Sequence, residues 1–225
     1  MLFLSIDTSG KLGGVTLAVG DQRSFRAIES APIEGGTFSA QLVPTLAWLL
    51  RKHGFVAGEL DGFVAVSGPG SFTGLRVGLS AIKGLAEVLR KPIATVSLLE
   101  AVAVSSGQQG RVAAALDAGR DEIFWALYDV TGQQASIVQE KLLSQAEFFS
   151  VLKNADSTPL VTSDQSIVDL VRREGIDARR VERPGSEKVA GIGLRKLMAG
   201  ETVGVEELDA NYIRRSDAEI FSRPL

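Results

Sequence analysis

Cysteine is absent from this sequence, and histidine occurs once. Without thiols there is no disulfide, no thiolate metal ligand and no thiol nucleophile, a composition compatible with a reducing compartment. One histidine without cysteine leaves neither an ordinary zinc site nor a Ser-His-Asp triad of credible geometry. That residue, His53, lies beside Arg51 and Lys52 at the end of a predicted helix, where interaction with the helix dipole explains it better than catalysis does.

A basic leader and a long apolar run are also missing. The N-terminus predicts a first β-strand rather than a signal peptide, and no segment is apolar enough to span a bilayer, so a cytoplasmic location is expected. The net charge of −3 and pI of about 5.4 are not those of a protein that binds nucleic acid on its own. The 225 residues allow one large domain or two small ones.

The chain predicts alternating strands and helices in two halves. An apolar strand ends at Asp7, and a similar strand ends at Asp117. Each aspartate is followed by a turn and a second strand, which indicates a duplicated α/β fold.

The most informative stretch is a glycine-rich turn, Gly68-Pro69-Gly70-Ser71, between a predicted strand and a predicted helix. Glycines let backbone N–H groups approach a ligand, and the N-terminus of a helix favours negative charge, so the turn could bind phosphate. The alternative is that it only turns the chain tightly. We favour the tight turn, because the loop contains no Lys or Arg and lacks the Gly-Lys-Ser/Thr signature of a Walker loop.

The turn Asp7-Thr8-Ser9 also has two interpretations. It follows the carboxyl end of a strand, where open α/β sheets place ligand groups, so the aspartate could orient a metal-bound water and the hydroxyls could contact phosphate. The alternative is an Asx-type turn that satisfies its own backbone, which we favour for Asp7 and equally for Asp117.

The predicted helix Thr73 to Arg90 is apolar nearly all round. Such a helix must be buried on nearly all sides, so a second layer must cover it, from this chain or from a partner. A second helix, Ser39 to His53, carries a core stripe and an apolar flank of Val43, Ala47 and Trp48. Trp48 is either an interface anchor or ordinary core.

Several of these segments together resemble one family, TsaB, also called YeaZ. They are Ile6-Asp7-Thr8-Ser9, Gly68 to Gly78, Lys83-Gly84-Leu85-Ala86, Pro92-Ile93, Val96 to Ala101, Asp117 to Ile123 and, more weakly, Tyr212-Ile213-Arg214-Arg215. The resemblance implies an α/β fold of two related actin-like (ribonuclease H-like) lobes with mixed β-sheets flanked by helices. On that basis we expect a first lobe at residues 1–104, a second at 105–207, and a C-terminal segment, 208–225, that packs back on the first.

The resemblance also bears on catalysis. The related catalytic subunit TsaD has the same Gly-Pro-Gly loop, followed by a metal motif, His-x-Glu-Gly-His. Aligned by distance from the loop, Leu98 and Val102 replace the two histidines, and Glu100 and Ala101 fill the Glu and Gly positions. Since aliphatic side chains cannot ligate a metal, we expect no catalytic residue, no metal and no cofactor in this chain alone, with ATP and Mg²⁺ entering at the level of a complex.

The family role that this implies is a scaffold that pairs with TsaD through the two helices, is joined by the ATPase TsaE, and self-associates when TsaD is absent. Contact with tRNA would be indirect, and no membrane is involved. The expected partner interface consists of Leu42, Leu46, Leu49, Gly74, Leu75, Gly78, Leu79 and Ile82. One departure is Phe38-Ser39-Ala40, where the family often has His-Ser-Glu, so the polar contacts of that His and Glu are not carried over.

The sequence therefore favours a non-catalytic subunit of the complex that forms N6-threonylcarbamoyladenosine beside the anticodon of tRNAs reading codons that start with A. The rival hypothesis is an ATP-dependent phosphotransferase or ATPase of the same fold. It would use a site that is otherwise vestigial: Asp7, Thr8, Ser9, Gly68, Gly70 and Ser71. Arg214-Arg215 would contact phosphate or a partner acid, or form a solvated tail.

Overall fold

The computed structural model describes residues 1–154 and 158–210. In the first half, five strands and three helices follow one another: β1 (Leu2–Asp7), β2 (Leu12–Gly20), β3 (Phe25–Glu34), α1 (Phe38–Lys52), β4 (Gly62–Gly68), α2 (Phe72–Leu89), β5 (Ile93–Ser97) and α3 (Leu98–Ser105). The second half continues with β6 (Gly110–Gly119), β7 (Glu122–Thr131), β8 (Gln134–Ser144), α4 (Gln145–Asn154), β9 (Leu160–Thr162), α5 (Gln165–Arg172), β10 (Ala178–Arg180) and α6 (Ser186–Ala199).

The strands form two five-stranded mixed sheets with the same topology. The first has the order β3-β2-β1-β4-β5, and the second has the order β8-β7-β6-β9-β10. In both, the first three strands pair antiparallel and the last two continue the sheet in parallel. This is the ribonuclease H-like arrangement carried twice, as in actin-like proteins, so the predicted two-lobed α/β fold is confirmed.

Helices cover both faces of the first sheet. Phe38 of α1 packs over Gly13 of β2, and Ser186 of α6 hydrogen-bonds Thr16 of the same strand, with 2.8 Å between the hydroxyl oxygens. Because residues 13 and 16 differ by an odd number, these two helices lie on opposite faces of the sheet. α2 packs beside α1 and against β4, which completes a three-layer unit.

α6 approaches the first sheet closely because it carries a glycine at the contact. A Cβ built at Gly193 would collide with the side chain of Val64 on β4. Lys196 of α6 makes a further contact with this sheet, since its ammonium donates a hydrogen bond to the Thr95 carbonyl of β5 at 3.1 Å.

The compact units differ from the expected lobes in one respect. The first unit comprises residues 1–101 and 183–210, so the described segment that contains α6 belongs to the first unit and not to the second. The reason is the packing of α6 on β1, β4 and β5. The division falls within α3, close to the expected boundary at 104/105, and the expected C-terminal segment lies mostly outside the described residues.

The second unit has its own core on one face of its sheet. α4 and α5 contribute Phe148, Ile167 and Val171, which pack on sheet residues that include Trp125. β10 is the outermost strand of this sheet, next to the three-residue strand β9.

Within the described residues, none of the helices is long and apolar enough to cross a membrane.

Candidate functional site

The turn after β1 is closed by its own aspartate. Oδ1 of Asp7 accepts hydrogen bonds from the backbone N–H of Ser9 at 2.8 Å and from its hydroxyl at 2.6 Å. Arg183, which precedes α6, donates to the Ser9 hydroxyl oxygen at 3.0 Å. Asp7, Thr8 and Ser9 are all buried. The geometry is that of an Asx turn, the structural alternative to a metal or phosphate site.

The glycine loop packs directly on this turn. The Ser71 N–H donates to the Ser9 carbonyl at 2.8 Å. A Cβ at Gly70 would collide with the same carbonyl, and a Cβ at Gly74 would collide with the carbonyl of Thr8. The structure thus brings the two expected segments of the nucleotide site together, and the glycines at 70 and 74 are what allow the two backbones to pack this closely.

Two further residues of the loop shape its ends. Gly68 ends β4 with φ of 130°, a conformation that side chains rarely adopt, so the tight turn requires glycine there. Ser71 is the N-cap of α2, and its hydroxyl accepts from the Gly74 N–H at 3.2 Å. Both roles are structural.

The second unit repeats the aspartate turn. Oδ1 of Asp117 accepts from the Gly119 N–H at 2.7 Å, and Oδ2 accepts from the Ser166 hydroxyl at 2.9 Å. The strand-then-Asp similarity between the halves therefore corresponds to the same self-satisfied turn at the end of β1 and β6.

The expected partner interface differs from the observed surface. All eight residues are buried within the first unit, where they pack α1 and α2 on the sheet and on one another: Leu42, Leu46, Leu49, Gly74, Leu75, Gly78, Leu79 and Ile82. This corrects the expectation, because a side chain that its own chain covers has no surface to offer a partner. The three-four spacing of these residues marked the core stripe rather than the interface.

The exposed apolar surface lies on the flanks of the same helices. Val88 is 81% exposed, Val43 is 55% exposed and Trp48 is 43% exposed. We call this surface the helix flank: Ala40, Val43, Pro44, Ala47 and Trp48 of α1, with Val77, Ala81, Gly84 and Val88 of α2, all exposed or half-buried. The α1 part was visible in the sequence as an apolar flank; the α2 part was hidden in a helix that is apolar nearly all round.

An ion cluster borders the helix flank. Glu29 on β3 accepts from Lys52 and contacts the ring of His53, both at 2.7 Å. These hydrogen bonds, first that of Lys52 and then that of His53, lower the pKa of the Glu29 carboxyl. The Lys52 ammonium also lies 4.6 Å from the centre of the Trp48 ring. His53 thus ties the end of α1 to the sheet, in keeping with a structural role.

A buried ion pair joins α3 to α6. The Lys196 ammonium donates to Glu100 at 2.7 Å, and the Glu100 side chain is 6% exposed. Burial raises the pKa of Glu100, and the charge and hydrogen bond of Lys196 oppose that rise. Leu98 and Val102, on either side of Glu100 along α3, are buried.

The described residues contain no group of three His, Cys, Asp or Glu side chains arranged to hold a metal ion. The α3 segment that would carry the TsaD metal motif presents Leu98 and Val102, which have no atom that can ligate a metal. The side chains at these two positions of α3 therefore do not fit a metal site. Tyr212-Ile213-Arg214-Arg215 lies outside the described residues.

The duplicated sheet with helices on its faces and a glycine turn after its fourth strand defines a two-lobed, actin-like α/β protein. Residues 35–173 match the family described as TsaD, tRNA N6-adenosine threonylcarbamoyltransferase. The chain belongs to this family.

Two curated relatives match the chain over nearly its whole length. Both are named tRNA threonylcarbamoyladenosine biosynthesis protein TsaB, from Bacillus subtilis and Escherichia coli; each is 28% identical and covers 97% of this chain and 96% of the relative. The solved structure of YeaZ from Pseudomonas aeruginosa has a TM-score of 0.75 at 26% identity and covers 94% of this chain and 100% of that one. The predicted resemblance to TsaB (YeaZ) is confirmed, and it places the chain among the proteins of tRNA threonylcarbamoyladenosine biosynthesis.

Proposed function

We propose that this protein is a non-catalytic subunit that binds and orders TsaD, and helps recruit TsaE, in the formation of N6-threonylcarbamoyladenosine on tRNA. The observation that carries the proposal is the helix flank. Large apolar side chains, Val88, Val43 and Trp48, are exposed there on two helices that pack against each other, and this composition is typical of protein interfaces.

The aspartate turn and glycine loop argue against the rival hypothesis of an ATPase. A nucleotide site would need Asp7 free to orient a ligand, but its Oδ1 already accepts two hydrogen bonds from Ser9. The Ser9 carbonyl also packs directly on Gly70, so the two segments support each other's backbone. In this proposal ATP and Mg²⁺ bind at the level of the complex rather than to this chain alone.

The proposed partner surface also accounts for self-association. An exposed apolar patch on a helix pair is free to contact a second copy when TsaD is absent, and TsaD would displace that copy. The proposal therefore includes a homodimer of the isolated chain that TsaD converts into a heterodimer.

Replacing Val88 or Val43 by glutamate tests the surface. Each change places a charge in the proposed interface, and we expect affinity for TsaD to fall at least about thirtyfold. Folding should be unaffected, since both side chains are exposed. Size-exclusion chromatography with light scattering, on the chain alone and mixed with TsaD of the same source, measures the outcome.

The matched control is Val138→Glu, a change of the same kind at a 46% exposed valine on β8 of the second unit. We expect this variant to assemble with TsaD like the unaltered chain. Equal assembly by Val88→Glu, Val43→Glu and the control would exclude the helix flank as the interface.

A further inference from the structure

The outer edge of the second sheet carries a concentration of arginine. α5 ends at Arg172, Arg173 follows, and Arg179 and Arg180 lie on β10; all four are exposed. α5 and β10 pack against each other, and the short turn between them is closed by a hydrogen bond from the Ile176 N–H to the Val171 carbonyl at 3.0 Å. We call these four residues the arginine edge.

The net charge of the whole chain does not reveal this cluster of arginines. Residues 102–182 contain eight Lys or Arg and twelve Asp or Glu, and half of the basic residues fall within the nine positions 172–180. An acidic background with one local basic segment gives a directional field that the net charge of −3 does not reveal.

The four guanidinium groups are available for a ligand. Within residues 1–154 and 158–210, none of them forms an ion pair with a carboxylate. Neighbouring residues of a strand point to opposite faces of a sheet, so Arg179 and Arg180 extend to the two sides of the edge strand β10. Positive charge therefore lies on both sides of this strand. Glu174 and Asp177, also exposed, lie in the turn between the two arginine pairs, and residues 172–180 keep a net charge of +2 from four arginines and two acidic residues.

The composition of the edge favours a polyanion over an apolar protein surface. Among the described residues from 165 to 182, no large apolar side chain is exposed, so the edge lacks the anchors that protein interfaces use. A phosphate backbone needs only charge and N–H donors, and the planar guanidinium fork matches phosphate with two parallel hydrogen bonds.

We propose that the arginine edge binds the phosphate backbone of RNA, which replaces the expectation that this chain contacts tRNA only indirectly. The inference rests on the proposed function, since a subunit of a complex that modifies tRNA meets such a backbone there. Contacts of this kind add affinity without reading sequence, so the edge would hold the tRNA while another subunit carries out the transfer.

The test measures the affinity of the assembled complex with TsaD and TsaE for an unmodified tRNA, one that reads a codon starting with A. The affinity is measured at several salt concentrations. The variants are R172Q/R173Q and R179Q/R180Q. The control, R23Q/K153Q, removes two exposed positive charges elsewhere. Each lost phosphate contact should reduce the magnitude of the slope of log affinity against log salt by about 0.7 to 0.9. For each double variant of the arginine edge we therefore expect this magnitude to fall by about 1.5, and the tRNA to bind roughly tenfold to thirtyfold more weakly at 0.15 M salt.

A smaller slope for the patch variants than for the control, with assembly intact, supports the arginine edge. Assembly with a slope equal to that of the control overturns it. Loss of assembly in the patch variants alone would mean that a protein binds there, and it also overturns the inference. Failure of the unaltered chain to bind TsaD would instead overturn the proposed function itself.

Discussion

Gly74→Ala is expected to destabilise the first unit by about 2 kcal/mol, although alanine is normally the better residue in a helix. The new Cβ would collide with the carbonyl oxygen of Thr8. A backbone atom cannot move aside as a flexible side chain can, so α2 would have to shift away from the turn after β1. Urea unfolding followed by circular dichroism measures the loss.

Gly84→Ala on the same helix is the matched control. A Cβ at Gly84 meets no atom within 4 Å, and the residue is exposed. The same substitution should there stabilise the protein by about 0.5 to 1 kcal/mol through helix propensity alone. Equal effects at the two positions would show that α2 does not depend on close contact with the turn, and that the glycine loop has a role other than packing.

Lys196→Met is expected to cost about 3 kcal/mol at pH 7, because it leaves the Glu100 carboxylate buried without its ion partner. The double variant Glu100→Gln with Lys196→Met should recover most of this loss, since no buried charge remains. The exposed pair offers a comparison: Lys52→Met removes a partner of Glu29 at the surface and should cost far less than Lys196→Met, because solvent screens exposed charges.

The effect of Lys196→Met should depend on pH. Burial raises the pKa of Glu100 above its ordinary value of 4.5, so the folded protein holds this proton more tightly than the unfolded chain does. This proton therefore stabilises the folded protein at pH values below the pKa that Glu100 has in the unfolded chain. The stabilisation is lost as the pH rises through the higher pKa that Glu100 has in the folded protein. Removing Lys196 raises the pKa of Glu100 further, so the variant should be closer to the unaltered protein at pH 5 than at pH 7. An equal loss at both pH values would contradict the buried pair as the cause.

The sequence predicted most elements of the fold because their patterns are local. Apolar strands bounded by Asp7 and Gly68, and a helix ended by Gly54, have signals within a few residues. β10 gave no such signal, since Ala178–Arg180 is short and polar and becomes a strand only by pairing with β9. The assignment of α6 to the first sheet depends on a long-range contact, Gly193 on Val64, that no local pattern contains.

The site was harder to predict than the fold. The periodicity of Leu75, Leu79 and Ile82 identifies a helix face that is buried, but it does not say whether its own chain or a partner covers that face. In the structure the chain covers it. The residues left exposed or half-buried on α2, Val77, Ala81, Gly84 and Val88, follow a three-four repeat of their own, so periodicity alone does not distinguish the two faces. The sequence also allowed both interpretations of Asp7, and only the structure shows that its Oδ1 accepts two hydrogen bonds from Ser9.

Transfer of the threonylcarbamoyl group to tRNA, measured with purified components, tests the central proposal most directly. We expect no transfer by this chain alone, little by TsaD with TsaE, and full transfer when this chain is added to both. The Val88→Glu variant should fail to restore activity, and Val138→Glu should restore it. Transfer or ATP turnover by the isolated chain, or full activity of TsaD and TsaE without it, would contradict a role as a non-catalytic partner subunit.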